Sequence, residues 1–156
     1  MPIDTPLLER LAAIVGADHV LTGDRVSTRS TSWGNHAPCQ AGAIVRPGST
    51  DEVSRVLAAC HAAGQPVVTL GGLTGLVRGC EAGPDELGLS LERMHRIEEV
   101  DVVGRTITVE AGVPLQAIQE EAERHGLLYP VDFGARGSAH IGGTVATNAG
   151  GNGVIR

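Results

Sequence analysis

Aromatic side chains are nearly missing from this chain: 156 residues include one Trp, one Tyr and one Phe. Aromatic packing therefore contributes little, and contact with a ligand falls to the backbone. Cysteine is scarce. Cys39, Cys60 and Cys80 are odd in number and nowhere spaced C-x-x-C, which argues against a disulfide framework or a zinc site and suits a reducing, cytoplasmic setting. There is no apolar run of about 18 residues, and Asp4 and Glu9 replace the basic start of a leader, so a soluble, unexported chain without a membrane span is expected. Positive charge is also short. With a formal net charge of -6 and a pI near 5.4 the surface on average repels phosphate backbones and anionic lipid, so nucleic acid and membrane drop in rank as partners and neither is expected. Neither G-x-x-x-x-G-K-[ST], G-x-S-x-G nor H-E-x-x-H occurs, and Gly151-Asn152-Gly153 is not followed by the glycine of a dinucleotide fingerprint. The six histidines are scattered, so no metal site is indicated.

What is present is a composition able to fold: 42% hydrophobic and 19% charged residues, in a length suited to one domain. Thr5-Pro6 reads as a helix entry, followed by Leu7, Leu8, Leu11, Ile14 and Val15 at helical spacing up to Gly16. Asp18 to Gln40 loses all period and reads as an irregular connector, with Trp33 as its buried anchor. Ala43-Ile44-Val45 is a short strand. Ser49 and Glu52 form a capping box for a helix with Val53, Val56, Leu57 and Cys60 on one face and Gly64 as its stop. Pro66 to Leu70 reads as a strand covered on both faces, completing a parallel strand-helix-strand unit. Leu87 to Leu91 and Thr106 to Val109 alternate as pairing strands, with a turn at Val103-Gly104. Pro114 opens a helix whose Leu115, Ile118 and Ala122 face a sheet and which Gly126 closes. The fold class is α+β: a small parallel βαβ subdomain plus part of a second, mixed or antiparallel subdomain.

Glycine is the abundant residue, 22 in all. Gly71-Gly72-Leu73-Thr74-Gly75-Leu76 starts where a strand stops, which is where backbone N–H groups can converge on an anion such as a diphosphate; a tight structural turn is the alternative. The second concentration runs from Tyr129-Pro130 through Gly137, Ser138, Gly142 and Gly143 to Thr147, Asn148 and Gly150. Ser138, Thr144, Thr147 and Asn148 are small polar residues able to lie against a flat ligand and bond to its heteroatoms. Glycine raises the entropic cost of folding, so this density calls for a ligand or a packing reason.

Three stretches, Ile44 to Val53, Gly71 to Leu76 and Gly137 to Gly151, occur in the order and at the intervals of the FAD-binding (PCMH-type) domain of the vanillyl-alcohol-oxidase superfamily, which residues 40 to 156 resemble. The branch most similar is that of the D-2-hydroxyglutarate and D-lactate dehydrogenases. The resemblance implies a domain boundary near residue 40, with residues 1–39 an N-terminal helix and connector. It implies that Gly71, Gly72, Leu73, Thr74, Gly75 and Leu76 wrap the FAD diphosphate. Pro130, Asp132, Gly137, Ser138, Gly142, Gly143, Thr147, Asn148 and Gly150 would line the flavin and its linker. Covalent members often carry His after the first glycine pair; Leu73 stands there, so non-covalent FAD is expected. His140 could be a tether but is expected to order its loop by a hydrogen bond. Relatives usually carry glycine where Arg78 stands, and Arg78 reads either as a solvated arginine or as a fixed charge for a phosphate. The substrate-binding cap and the histidine-bearing motifs of the family lie beyond Arg156, so no catalytic residue is carried over and the chain is expected to be inactive alone. Two functions stay open: the flavin-binding front of an FAD-linked D-2-hydroxyacid dehydrogenase, completed by a cap domain, or a non-catalytic remnant that binds a partner.

Overall fold

The structure is a computed structural model that describes residues 3–35 and 37–154. Ile155 and Arg156, the end of the expected FAD-binding domain, lie outside the described residues, as do Met1, Pro2 and His36. The chain divides into two compact units, Met1–Arg93 and Met94–Arg156.

The first unit is a four-stranded sheet with helices. α1 (Thr5–Val15) begins at N-cap Asp4, not at Thr5, and Asp4 makes no side-chain cap bond, because Pro at the start of the first turn already removes one N–H that needs a partner. The expected connector is not irregular throughout. It holds a 3-10 turn (Ala17–His19), β1 (Val20–Leu21) and α2 (Asp24–Ser27), elements too short to impose a visible period. β2 (Ala43–Val45) leads into α3 (Thr50–Ala63). Glu52 N donates to Ser49 Oγ at 3.2 Å, while the Glu52 carboxylate reaches back to Gly48 N at 2.7 Å, one residue earlier than the usual capping box. Gly64 ends α3 in the left-handed conformation, φ 63. β3 (Val67–Leu70) and β4 (Leu87–Ser90) complete the order β1-β2-β4-β3, in which β2, β4 and β3 run parallel and β1 antiparallel.

Period-two alternation sorts the sheet's residues onto two cores. Ala43, Val45, Leu87 and Leu89 meet Leu7, Leu11 and Val15 of α1 and Val56, Ala59 and Cys60 of α3. Ile44 and Leu70 face the other way, onto Leu21, Val26, Cys39, Ala41 and Ala82. Gly88 has no side chain because a Cβ there would sit 2.8 Å from Leu70 Cδ1 and 3.0 Å from Ile44 Cγ1. Two expectations are corrected. It is β4 that is buried throughout; β3 is an edge strand with Thr69 exposed, since topology placed β4 inside. Leu57 is exposed, because the buried stripe of α3 runs through Val56, Ala59 and Cys60.

The second unit pairs β5 (Ile97–Asp101) with β6 (Thr106–Val109) antiparallel. Asp101 Oδ1 accepts from Val103 N and Gly104 N at 3.0 and 2.8 Å and shapes the hairpin turn. β4 and β6 thus belong to different sheets. The apolar face of α4 (Leu115–Arg124) is the one expected, with Leu115, Ile118 and Ala122 buried; Ile118 packs with Val113, Ile141, Ile97, Ile107 and Val109. A short helix, α5 (Ile141–Ala146), lies inside the glycine-rich stretch.

Candidate functional site

In the first unit, the Gly71–Leu76 loop leaves the carboxyl end of β3, the end of a parallel sheet where ligands usually bind. Gly71 to Thr74 are partly exposed; Gly75 and Leu76 are exposed. Leu73 and Arg78 are held in the left-handed region, φ 57 and 59, which costs a non-glycine residue roughly 1–2 kcal/mol. The Leu73 side chain packs against the buried cluster that contains Ile44, Leu70 and Ala82, so a packed alkyl group follows the first glycine pair. The loop's exit is strapped to the Thr31–Asn35 turn: Glu81 Oε1 accepts from Ser32 Oγ at 2.5 Å and Asn35 Nδ2 at 3.1 Å, and Cys80 Sγ donates to Thr31 O at 3.4 Å. The Ser32 and Asn35 hydrogen bonds hold the Glu81 carboxyl below its ordinary pKa, and burial pushes the Cys80 thiol up. Polar bonds anchor this turn instead of the expected aromatic one, and Trp33 stands at its tip, 70% exposed.

In the second unit, the glycine-rich stretch hangs from residues 111–116 by main-chain bonds. Gln116 N donates to Arg136 O, Leu115 N to Ala139 O and Ile141 N to Val113 O, each at 2.9 Å, and Gly142 N to Ala111 O at 2.8 Å. The support is itself fixed. Glu110 is buried and accepts from Arg96 N and Arg96 Nη2, both at 2.8 Å, and the Arg96 side chain holds its carboxyl below the ordinary range. Nearby, Asp132 pairs with Arg136 at 3.2 Å, and Asp132, Phe133, Gly134, Arg136, Asn152 and Gly153 line an open cleft of about 430 Å³.

The glycines separate into two kinds when a Cβ is placed on each. At Gly142 it would lie 2.8 Å from Ala111 Cβ and 3.0 Å from Ala111 O; at Gly151 it would lie 2.0 Å from Asp132 O. Those glycines are needed for internal packing. At Gly75, Gly79, Gly134, Gly143 and Gly150 a Cβ would meet nothing within 4 Å, and none of the five has a positive φ. Neither backbone shape nor internal packing asks for glycine at these five; Gly75, Gly143 and Gly150 are expected site residues, Gly134 lies in the same glycine-rich stretch and Gly79 just beyond the first loop, and room for close approach of a ligand is what they share. Of the four left-handed non-glycine residues among those described, Leu73 and Arg78 lie in or beside the first candidate loop and Asn148, φ 50, in the second; Arg105 serves the β5–β6 turn. Strain of this kind collects at functional sites.

Among the other expected site residues, Gly137, Ser138, Thr147 and Asn148 are exposed, as is Asp132, while Pro130 is half-buried. Thr147 Oγ1 donates to Gly143 O at 2.9 Å, leaving its lone pairs to accept. Thr144 is not a ligand candidate: it is buried and donates to Ile141 O at 2.8 Å. His140 caps α5 in a bridge with Pro114. Arg136, Asn152 and the Glu110–Arg96 pair were not singled out from sequence. Isolated polar residues carry no period or motif that marks them.

Among the described residues, no group of three His, Cys, Asp or Glu could hold a metal, and no helix is long and apolar enough to cross a membrane. The family model described as FAD binding domain matches residues 41–156. The chain is 52% identical over 114 residues to a D-2-hydroxyglutarate dehydrogenase of Xanthomonas citri pv. viticola, covering 73% of this chain and 24% of that protein. It is 41% identical over 133 residues to a probable mitochondrial D-2-hydroxyglutarate dehydrogenase of Oryza sativa subsp. indica, covering 85% of this chain and 24% of that protein. The chain thus spans about a quarter of the length of these relatives. Similar solved structures include an alkyldihydroxyacetonephosphate synthase (TM-score 0.82, 19% identity, 96% of this chain and 33% of that one) and p-cresol methylhydroxylase (0.69, 21%, 92% and 28%). At these identities the likeness is one of fold.

Proposed function

We propose that this chain, which belongs to the FAD binding domain family, holds FAD without a covalent bond and serves the oxidation of a D-2-hydroxy acid of the D-2-hydroxyglutarate or D-lactate type. The observation that carries the reading is that three of the expected site residues, Gly75, Gly143 and Gly150, are open glycines at which the protein's own packing needs no glycine. In the first unit, Gly71, Gly72, Leu73, Thr74, Gly75 and Leu76 take the diphosphate through main-chain N–H groups. In the second, Pro130, Asp132, Gly137, Ser138, Gly142, Gly143, Thr147, Asn148 and Gly150 take the flavin and its linker, with Gly142 acting indirectly by seating α5 on Ala111. The domain that does this starts near residue 40, with residues 1–39 as an N-terminal helix and connector.

Bound FAD would supply the two-electron acceptor; the residues here bind and orient it. Dissociable binding is supported by Leu73, which has no nucleophilic atom, and by Cys80, whose thiol is kept protonated by burial and bonded to Thr31 O. Substrate-facing groups are expected from polypeptide beyond these 156 residues, including a cap domain, because the Xanthomonas relative is about three times as long. The three cysteines are free, which suits the cytoplasm.

The test is spectroscopic. Chain purified with added FAD should carry a perturbed flavin spectrum and release intact FAD on denaturation. Protein that stays colourless and leaves FAD fluorescence unchanged overturns the reading, and flavin that stays attached after denaturation overturns the non-covalent part. Anaerobic D-2-hydroxy acid should bleach the flavin only when the rest of the protein is supplied.

A further inference from the structure

We propose that Arg78 is a diphosphate contact: its guanidinium pairs with the diphosphate of bound FAD and adds a full positive charge to a loop that otherwise offers only main-chain dipoles. The inference rests on the FAD reading above. Arg78 sits at φ 59, a conformation that glycine enters freely and arginine does not, and glycine stands next to it at Gly79. A strained residue persists where something compensates for the strain. Inside the protein the compensation is a single turn bond, Glu81 N donating to Arg78 O at 3.1 Å, and a long ion pair. The side chain is 74% exposed, and its ion-pair partner is Glu81 Oε1, 3.8 Å from Nε, an oxygen already taken by Ser32 and Asn35.

Charge points the same way. The chain carries -6 overall, and Arg78 is the sole Lys or Arg between Arg55 and Arg93. A diphosphate approaching the Gly71–Leu76 loop therefore meets an acidic protein in which Arg78 is the nearest cation along the chain. Arginine also suits this role in shape, since its planar fork matches two phosphate oxygens at once. Leu76 and Val77, 75% and 90% exposed, keep this part of the main chain at the surface, where a ligand can reach it.

Flavin fluorescence titrations of the 156-residue chain decide the matter. Arg78→Gln should weaken FAD binding about five- to tenfold in low salt, with the gap closing as salt rises. Arg78→Lys should recover part of the loss. Arg78→Gly should lose the same affinity while raising the melting temperature of the FAD-free chain, because it relieves the left-handed arginine; this separates a ligand contact from a folding defect. Riboflavin, which lacks the phosphates, should bind all forms alike. Unchanged or tighter FAD binding in the Gln and Gly variants, or an equal loss of riboflavin binding, overturns the assignment. Failure of the unaltered chain to bind FAD is a different outcome, which removes the functional reading and this inference with it.

Discussion

Two neighbouring glycines in α5 should respond to the same substitution in opposite ways. At Gly142, alanine places its Cβ 2.8 Å from Ala111 Cβ, 3.0 Å from Ala111 O and 3.3 Å from Ala111 Cα, atoms fixed to the backbone that cannot swing aside. Overpacking of this kind costs about 1–3 kcal/mol. The 2.8 Å bond from Gly142 N to Ala111 O is strained as well, a further loss of about 1 kcal/mol, against a gain of about 1 kcal/mol in helix propensity. The net is a loss of about 1–3 kcal/mol, or roughly 2–10 °C for a chain of this length. At Gly143 the added Cβ meets nothing within 4 Å, so helix propensity alone acts and the FAD-free chain should gain up to about 1 kcal/mol. The same methyl then occupies the surface that the ligand is proposed to approach, and FAD affinity should fall at least about tenfold, a difference of about 1.4 kcal/mol. Thermal melts with and without FAD, together with FAD titrations, measure both quantities. If Gly143→Ala binds FAD normally, or if both alanines lower the FAD-free melting temperature alike, the division into packing glycines and ligand glycines is wrong.

Other outcomes follow from the same structure. Saturating FAD at about 100 times its Kd should stabilise the chain by about 2.7 kcal/mol, and a melting temperature indifferent to FAD contradicts binding to the folded form. Glu110→Gln should lower the urea midpoint at neutral pH. The Arg96 side chain depresses the folded-state pKa of Glu110, so the stability this carboxylate provides is present above its unfolded value, near 4.3, and is lost as pH falls through the folded value; the gap between wild type and variant should close below about pH 4, and a gap constant with pH rules out the ion pair as its source. Ser49→Ala removes the acceptor for Glu52 N and should cost about 1 kcal/mol, read as a lower denaturation midpoint without change in FAD affinity. Arg105→Gly, at φ 54 in the β5–β6 turn, should leave FAD binding untouched while raising stability by up to about 1 kcal/mol; a fall in stability would show that the turn is not strained.

Local chemistry made much of this molecule legible from its residues. Ser49, Glu52 and Gly64 mark both ends of α3, and Leu115, Ile118 and Ala122 mark the buried side of α4, because caps and helical stripes involve residues within a few positions of each other. The two glycine-rich stretches, and through them the FAD binding domain family, were visible for the same reason. β5 was not, since a register shift between Ile97 and Glu99 breaks the alternation that identifies a strand. α5 was hidden too: Ile141-Gly142-Gly143-Thr144 has poor helix propensity, and its main-chain bonds to Ala111 and Val113 form only once distant segments meet.

What the residues alone determined was where backbone freedom is concentrated and which cofactor family uses it. Tertiary structure decided which glycines spend that freedom on the protein and which leave it open. Gly142 and Gly143 are indistinguishable as letters, yet one lies against Ala111 and the other against nothing, since a steric neighbour some thirty positions away belongs to packing and not to local sequence.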